Sequence, residues 1–136
     1  MPPGQVTRPE PKQIKDQNKA LMRKIIHMFA TGDLSKVRSI FAEDYIDHQG
    51  LGDIEIRGPQ GFSRVVMAAR RACPHLQVDV EDLIAEGDRV VVRLHWHGVQ
   101  PDGEKSDRET IDIVRFANGQ AVEHWGAPVE PNARRR

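Results

Sequence analysis

The chain lacks the residues that would commit it to several common ways of working. It has one cysteine, Cys73, in 136 residues, so no disulfide can close within it and no cysteine-based zinc site can be built. An excess of one charge is also missing: 20 Lys+Arg balance 20 Asp+Glu, which leaves no basic field for a nucleic acid to enter. No apolar run approaches the roughly 20 residues of a membrane span, so no membrane partner is expected. Met1–Gln5 has neither the basic nor the apolar region of a secretion signal, and the expectation is a cytoplasmic protein. The length suits one domain that buries enough surface to fold without disulfides or metal.

Residues 1–11 hold four prolines and one glycine with little that is apolar, and residues 130–136 look alike; both are predicted to be disordered tails around a domain over 12–129. Lys12–Ala30 carries Ile14, Leu21, Ile25 and Met28, with a second row at Met22, Ile26 and Phe29, which is helical spacing. Gly32 ends this helix, and Asp33 can cap a short second one with Leu34, Val37, Ile40 and Phe41 on one side. Tyr45–Gln49 reads as a short strand, and Gly50, Gly52 and Gly58 mark a loop. Pro59 opens a third helix with Phe62, Val65, Val66 and Ala69 inward, stopped by Pro74. From Leu76 the apolar period changes to two. Turn signals at Glu86-Gly87-Asp88, Pro101-Asp102-Gly103 and Asn118-Gly119 then divide the remainder into four strands of an antiparallel meander.

Polar residues inside these strands are the candidate chemistry. Val90, Val92, Leu94 and Trp96 alternate with Val91, Arg93, His95 and His97. The pair His95/His97 reads either as a half-solvated strand face or as the start of a metal site, since residues two apart point the same way. No third ligand stands at a recognisable spacing, so no metal is expected. On Arg108–Ala117, Thr110, Asp112, Val114 and Phe116 share one face and Glu109, Ile111, Ile113 and Arg115 the other. If Val114 and Phe116 face the core, Asp112 does too, and its carboxylate must gain donors or take up a proton, a placement typical of functional sites. If Ile111 and Ile113 face inward instead, Asp112 is an ordinary surface charge. His48 shares a face with Ile46, and an imidazole as a group can serve as acid, base or donor. At Glu123-His124-Trp125, either Trp125 walls a pocket and His124 faces solvent, or the reverse.

The helix Asn18–Phe29, then Phe41-Ala-Glu-Asp-Tyr-Ile-Asp-His48, Gly58-Pro-Gln-Gly-Phe62, the stretch Ala85–Gly98 and the stretch Asp112–Trp125 follow in an order that, from Asn18 to Pro128, resembles the SnoaL-like polyketide cyclases of the nuclear-transport-factor-2-like superfamily. The resemblance implies an α+β cone: three N-terminal helices packed on a curved antiparallel sheet, with one apolar pocket. That superfamily includes cyclases without cofactor, isomerases, dehydratases, epoxide hydrolases, relatives acting in hydroxylation and proteins with no catalysis, so fold constrains function weakly. In the cyclases an aspartate on the third long strand is the acid/base, and Asp112 resembles it. A histidine on the preceding strand is matched by His97, or less closely by His95. Where ketosteroid isomerases carry a second carboxylate this chain has His48-Gln49, and the cyclase loop is shortened to Val99–Asp107.

The resemblance thus implies a cofactor-independent cyclase or isomerase acting by acid/base enolisation on a small apolar carbonyl compound, polyketide-like, in an intramolecular aldol reaction. Asp112, His97 and His48 would be catalytic, and Tyr45, Phe62, Val66, Trp96, Val114 and Trp125 would hold the substrate. The alternatives are a non-catalytic ligand-binding or dimerisation module of the same fold, or a relative acting in hydroxylation, dehydration or epoxide opening. Besides the substrate, the expected partner is a second copy, in a homodimer through an outer sheet face bearing Ile111, Ile113 and Val91.

Overall fold

The structure, a computed structural model, describes residues 9–51 and 54–131. The expected tails therefore lie largely outside the described residues, and the first helix starts one residue earlier than expected. Helix α1 spans Pro11–Thr31, where proline is tolerated in a first turn that needs no N–H donor. It ends at Gly32, whose φ of 76° suits glycine and whose N–H donates to Met28 O at 2.8 Å. Met22, Ile25 and Ile26 are buried on its inner side. The second helix is only one turn, Val37–Ile40 (α2). Asp33 does not cap it; its carboxylate accepts the Ser35 N–H at 3.0 Å in a local turn, and Phe41 is already extended. Helix α3, Gly58–Ala72, buries Phe62 and Val66. Phe62 stacks on Phe41, with centroids 4.0 Å apart, and meets Phe29 edge-on at 5.5 Å, so one aromatic cluster ties both long helices to the sheet.

The sheet has six strands in the order β2-β1-β6-β5-β4-β3. The strands are β1 (Phe41–Leu51), β2 (Ile54–Arg57), β3 (Gln77–Glu86), β4 (Arg89–Val99), β5 (Lys105–Ala117) and β6 (Gln120–Pro128). The last four form the expected antiparallel meander. Two differences concern the first half. The strand expected over Tyr45–Gln49 runs the length of β1, and the expected loop contains β2, paired antiparallel with it; Gly52 of that loop lies outside the described residues. Charged Glu43 and Asp44 interrupt the apolar alternation of β1, so its full length carries no clean period-two signal. Strand β1 also lies parallel to β6, which makes the sheet mixed.

Facing the helices are Val90, Val92, Leu94 and Trp96 of β4 and Thr110, Asp112, Val114 and Phe116 of β5, all buried. On β6 the alternation breaks. Phe116 pairs with Ala121 but Arg115 pairs with Glu123, so Val122 is an extra residue. That single bulge reverses the faces beyond it: His124 pairs with inward Val114, Gly126 with inward Asp112, and Trp125 with outward Ile113. On β1, Tyr45 and Asp47 are buried while His48 is exposed. Of the apolar residues expected on the outer face, Ile111 is 44% exposed, whereas Val91 and Ile113 are half-buried.

Gly98 shows how tightly α3 closes on β4. A Cβ there would overlap Cys73 Sγ and lie 3.3 Å from His75 O. Gly98→Ala is expected to lower stability by about 1–3 kcal/mol through overpacking. Adding Cys73→Ala should recover part of the loss. Urea unfolding of the two single variants and the double variant measures this coupling.

Candidate active site

Between α1, α3 and the inner sheet face lies a cavity of about 480 Å³, a size that suits a small organic molecule. Its walls are mainly apolar, with Ile25 and Phe29 from α1, Phe62 from α3, and Leu94, Trp96 and Val114 from the sheet. Among its polar and ionisable lining residues, Tyr45, Asp47, Gln49, Thr110, Asp112 and His124 are close neighbours. Arg108 reaches the same cavity with its guanidinium 5.1 Å above the Trp96 ring.

His124 stands between two carboxylates. Its Nε2 is 2.7 Å from Asp112 Oδ1, and its Nδ1 is 2.9 Å from Asp47 Oδ1. The other Asp112 oxygen accepts the Thr110 hydroxyl at 2.7 Å, and Thr110 Oγ1 in turn accepts the Trp96 indole N–H at 2.8 Å. Across the histidine, Asp47 Oδ1 accepts the Gln49 backbone N–H at 2.9 Å, while the Tyr45 hydroxyl lies 3.5 Å from Asp47 Oδ2. Each buried polar atom thereby has a partner, as buried groups require. Gly126 makes the approach possible, because a Cβ there would overlap Asp112 Oδ1 and lie 2.8 Å from Gln49 Oε1.

The protonation state follows from competing terms. Burial, the largest influence, lowers the affinity of His124 for its proton, but hydrogen bonds to Asp112 and Asp47 and the charges of both outweigh it and push the pKa up to about 9. The ring is therefore an imidazolium at neutral pH, with both N–H groups donating. Burial, followed by the charge and hydrogen bond of Asp47, raises Tyr45 well above the ordinary phenol range, so its hydroxyl remains a donor.

Against the sequence-based expectations, Asp112, Tyr45, Phe62, Trp96 and Val114 all line the cavity. Val66 does not; it is fully buried behind the wall, and its neighbour Val65 takes the lining position. His48, His97 and Trp125 are corrected by strand parity, since each lies on the outer face. His48 Nε2 contacts Glu123 Oε2 at 2.8 Å and its ring stacks on Trp125, which also lies beneath Arg89. Hydrogen bonds from His48 and Arg115 hold Glu123 below the usual carboxylate range. His97 alternates with inward Trp96 and contacts Asp79 at 2.7 Å; His95 faces the same way. The histidine that enters the cavity is His124, the second of the two orientations open for Glu123-His124-Trp125. Asp47 was missed. The available signal was its alternation with Ile46 and His48, which puts Asp47 beside Tyr45.

A raised folded-state pKa makes His124 a pH-dependent source of stability. Its contribution is complete below about pH 6.5 and is lost as pH rises through about 9, with a span on the order of 3 kcal/mol. Urea midpoints measured from pH 6 to 10 should fall across that window in the parent protein. In His124→Asn that component should be absent.

The solved structures most informative for comparison share this architecture. A provisionally named polyketide cyclase from Bacillus cereus superposes with a TM-score of 0.75 at 24% identity, covering 82% of this chain and 74% of that one. AclR from Streptomyces galilaeus, provisionally named a hydroxylase, gives 0.70 at 26% identity, covering 85% and 76%. IdmH from Streptomyces antibioticus, provisionally named a polyketide cyclase, gives 0.72 at 23% identity, covering 82% and 91%. Among curated protein sequences nothing matches. The sequence profile described as SnoaL-like polyketide cyclase matches residues 19–128, and on that match, with the helices, curved sheet and cavity now placed, the chain belongs to the SnoaL-like polyketide cyclase family.

Proposed function

We propose that the protein is a cofactor-independent enzyme that moves a proton at a carbon beside a carbonyl in a small, largely apolar, polyketide-like compound, and that the enolate formed closes a ring by intramolecular aldol addition. One observation carries this reading: Asp112 meets the His124 imidazolium inside a mainly apolar cavity. Enolisation needs a base near carbon and donors near oxygen, in a site that limits water. Asp112 is the base. Its two oxygens are held by His124 and Thr110, and each keeps a lone pair for the substrate proton. The Gln49 carboxamide is the donor for the developing oxyanion, while the Tyr45 hydroxyl keeps its single hydrogen on Asp47. His124 acts through Asp112, orienting it and balancing its charge, and links it to Asp47 for proton relay. The membership of a provisionally named hydroxylase and of polyketide cyclases among the structural relatives fits one pocket serving several carbonyl chemistries.

The test follows α-carbon deuteration of an aromatic β-keto ester in D2O by mass spectrometry. The parent protein should accelerate exchange. Asp112→Asn, which keeps shape but cannot take the proton, should lower that rate by roughly 10²–10⁴ while binding, read from Trp fluorescence, changes little. Binding without accelerated exchange in the parent protein, or equal exchange in Asp112→Asn, would favour a non-catalytic ligand-binding module instead. The reading also includes pairing of two copies through the outer sheet face around exposed Ile111. Sedimentation at micromolar concentration should give twice the chain mass, and a particle of one chain mass overturns the pairing.

A further inference from the structure

We propose that Asp79, His95 and His97 form a binding site for a zinc-like divalent cation on the sheet face opposite the cavity. The site is independent of the proton chemistry above. His95 and His97 are two apart on β4 and project together, their rings stacked with centroids 4.6 Å apart. The third ligand comes from the neighbouring strand, where Asp79 pairs directly with His95. This is why no local spacing in the sequence reveals it. Asp79 Oδ2 lies 2.7 Å from His97 Nε2 and 3.8 Å from His95 Nδ1. One ligand atom from each of the three residues lies within 4.8 Å of the other two.

The surroundings fit a metal better than a simple ion pair. The second ring nitrogen of His95, Nε2, lies 3.1 Å from Asp107 Oδ1 on the opposite flanking strand. With Nε2 donating its hydrogen to that carboxylate, Nδ1 is left with its lone pair directed toward Asp79. Carboxylates commonly fix metal-binding histidines in this way. The other outer-face histidine has a different setting, because His48 meets one carboxylate, Glu123, that Arg115 also occupies.

Two imidazoles and one carboxylate suit Zn²⁺, Ni²⁺ or Cu²⁺ rather than Mg²⁺ or Ca²⁺, which favour all-oxygen sets. Tetrahedral zinc places its ligand atoms roughly 3.3 Å apart. The farthest pair thus needs to close by no more than about 1.5 Å, through rotation of partly exposed side chains. The cation displaces the proton shared by His97 and Asp79, and water takes the fourth position. A bound ion clips β3 to β4 on the outer surface.

The experiment uses the full chain free of any polyhistidine tag, titrated with Zn²⁺ against a competing chelator at pH 7.5. One ion per chain should bind with a dissociation constant on the order of micromolar or tighter, and the Tm should rise with Zn²⁺. His95→Gln, His97→Gln and Asp79→Asn should each weaken binding at least about tenfold, and Asp107→Asn by about tenfold through ring orientation. His48→Gln should leave it unchanged. In the unsubstituted protein Co²⁺ should develop the intense visible absorption of a four-coordinate ion. Six-coordinate Co²⁺ spectra alone, Zn²⁺ affinity that survives both histidine substitutions, or equal loss in His48→Gln overturns the site.

Discussion

An imidazolium held between two buried carboxylates is the constraint on which the rest of this molecule depends. Removing one partner of a buried ion pair typically costs about 3–5 kcal/mol because the remaining charge keeps its desolvation penalty without compensation. His124, Asp47 and Asp112 come from three neighbouring strands, β6, β1 and β5, so the cluster demands a particular register of each. The parallel pairing of β1 with β6 puts Asp47 opposite His124, and the antiparallel pairing of β5 with β6 puts Gly126 opposite Asp112. A side chain at position 126 would occupy the space that the Asp112 carboxylate needs.

The two faces of the sheet divide charge in different ways. On the inner face, the buried carboxylates of Asp47 and Asp112 are hydrogen-bonded to His124 between them, so water screens these charges little. On the outer face, His48 stacks on Trp125 beneath Arg89, Glu123 contacts both His48 and Arg115, and Arg93 bridges Asp82 and Glu109 at 2.7 Å each. Such partly exposed pairs contribute little to stability individually. They share their face with exposed Ile84 and Ile111. The chain thus keeps its buried ionisable cluster and its partly exposed ion pairs on opposite sides of one sheet.

Where the sequence carried a regular period, it could be read directly. The turns at Gly87, Gly103 and Gly119 delimit the meander, and alternation on β5 puts Asp112 with Val114 and Phe116. The apolar rows of α1 and α3 likewise identified the wall residues Phe29 and Phe62. Reading failed where a local irregularity or a neighbouring strand decides the outcome. Nothing in Gln120–Pro128 announces an extra residue at Val122, so which of His124 and Trp125 turns inward needs the pairing with β5. His97 drew attention as a histidine on an apolar strand, yet its parity with outward Val91 and Arg93 already opposed a pocket role. Asp47 lay in plain alternation with Tyr45 but was overshadowed by the adjacent imidazole of His48.

The extra residue in β6 also determines how this chain can be lined up with its relatives. An uninterrupted strand would offer Glu123 and Trp125 to the cavity, so the same letters with a different count of residues specify a different lining. A gap or insertion at position 122 thus carries as much chemical meaning as a substitution of His124 itself. A relative with the histidine but without the irregularity would present a different surface to the cavity, so a shared residue identity in this strand says little until the count before it is matched.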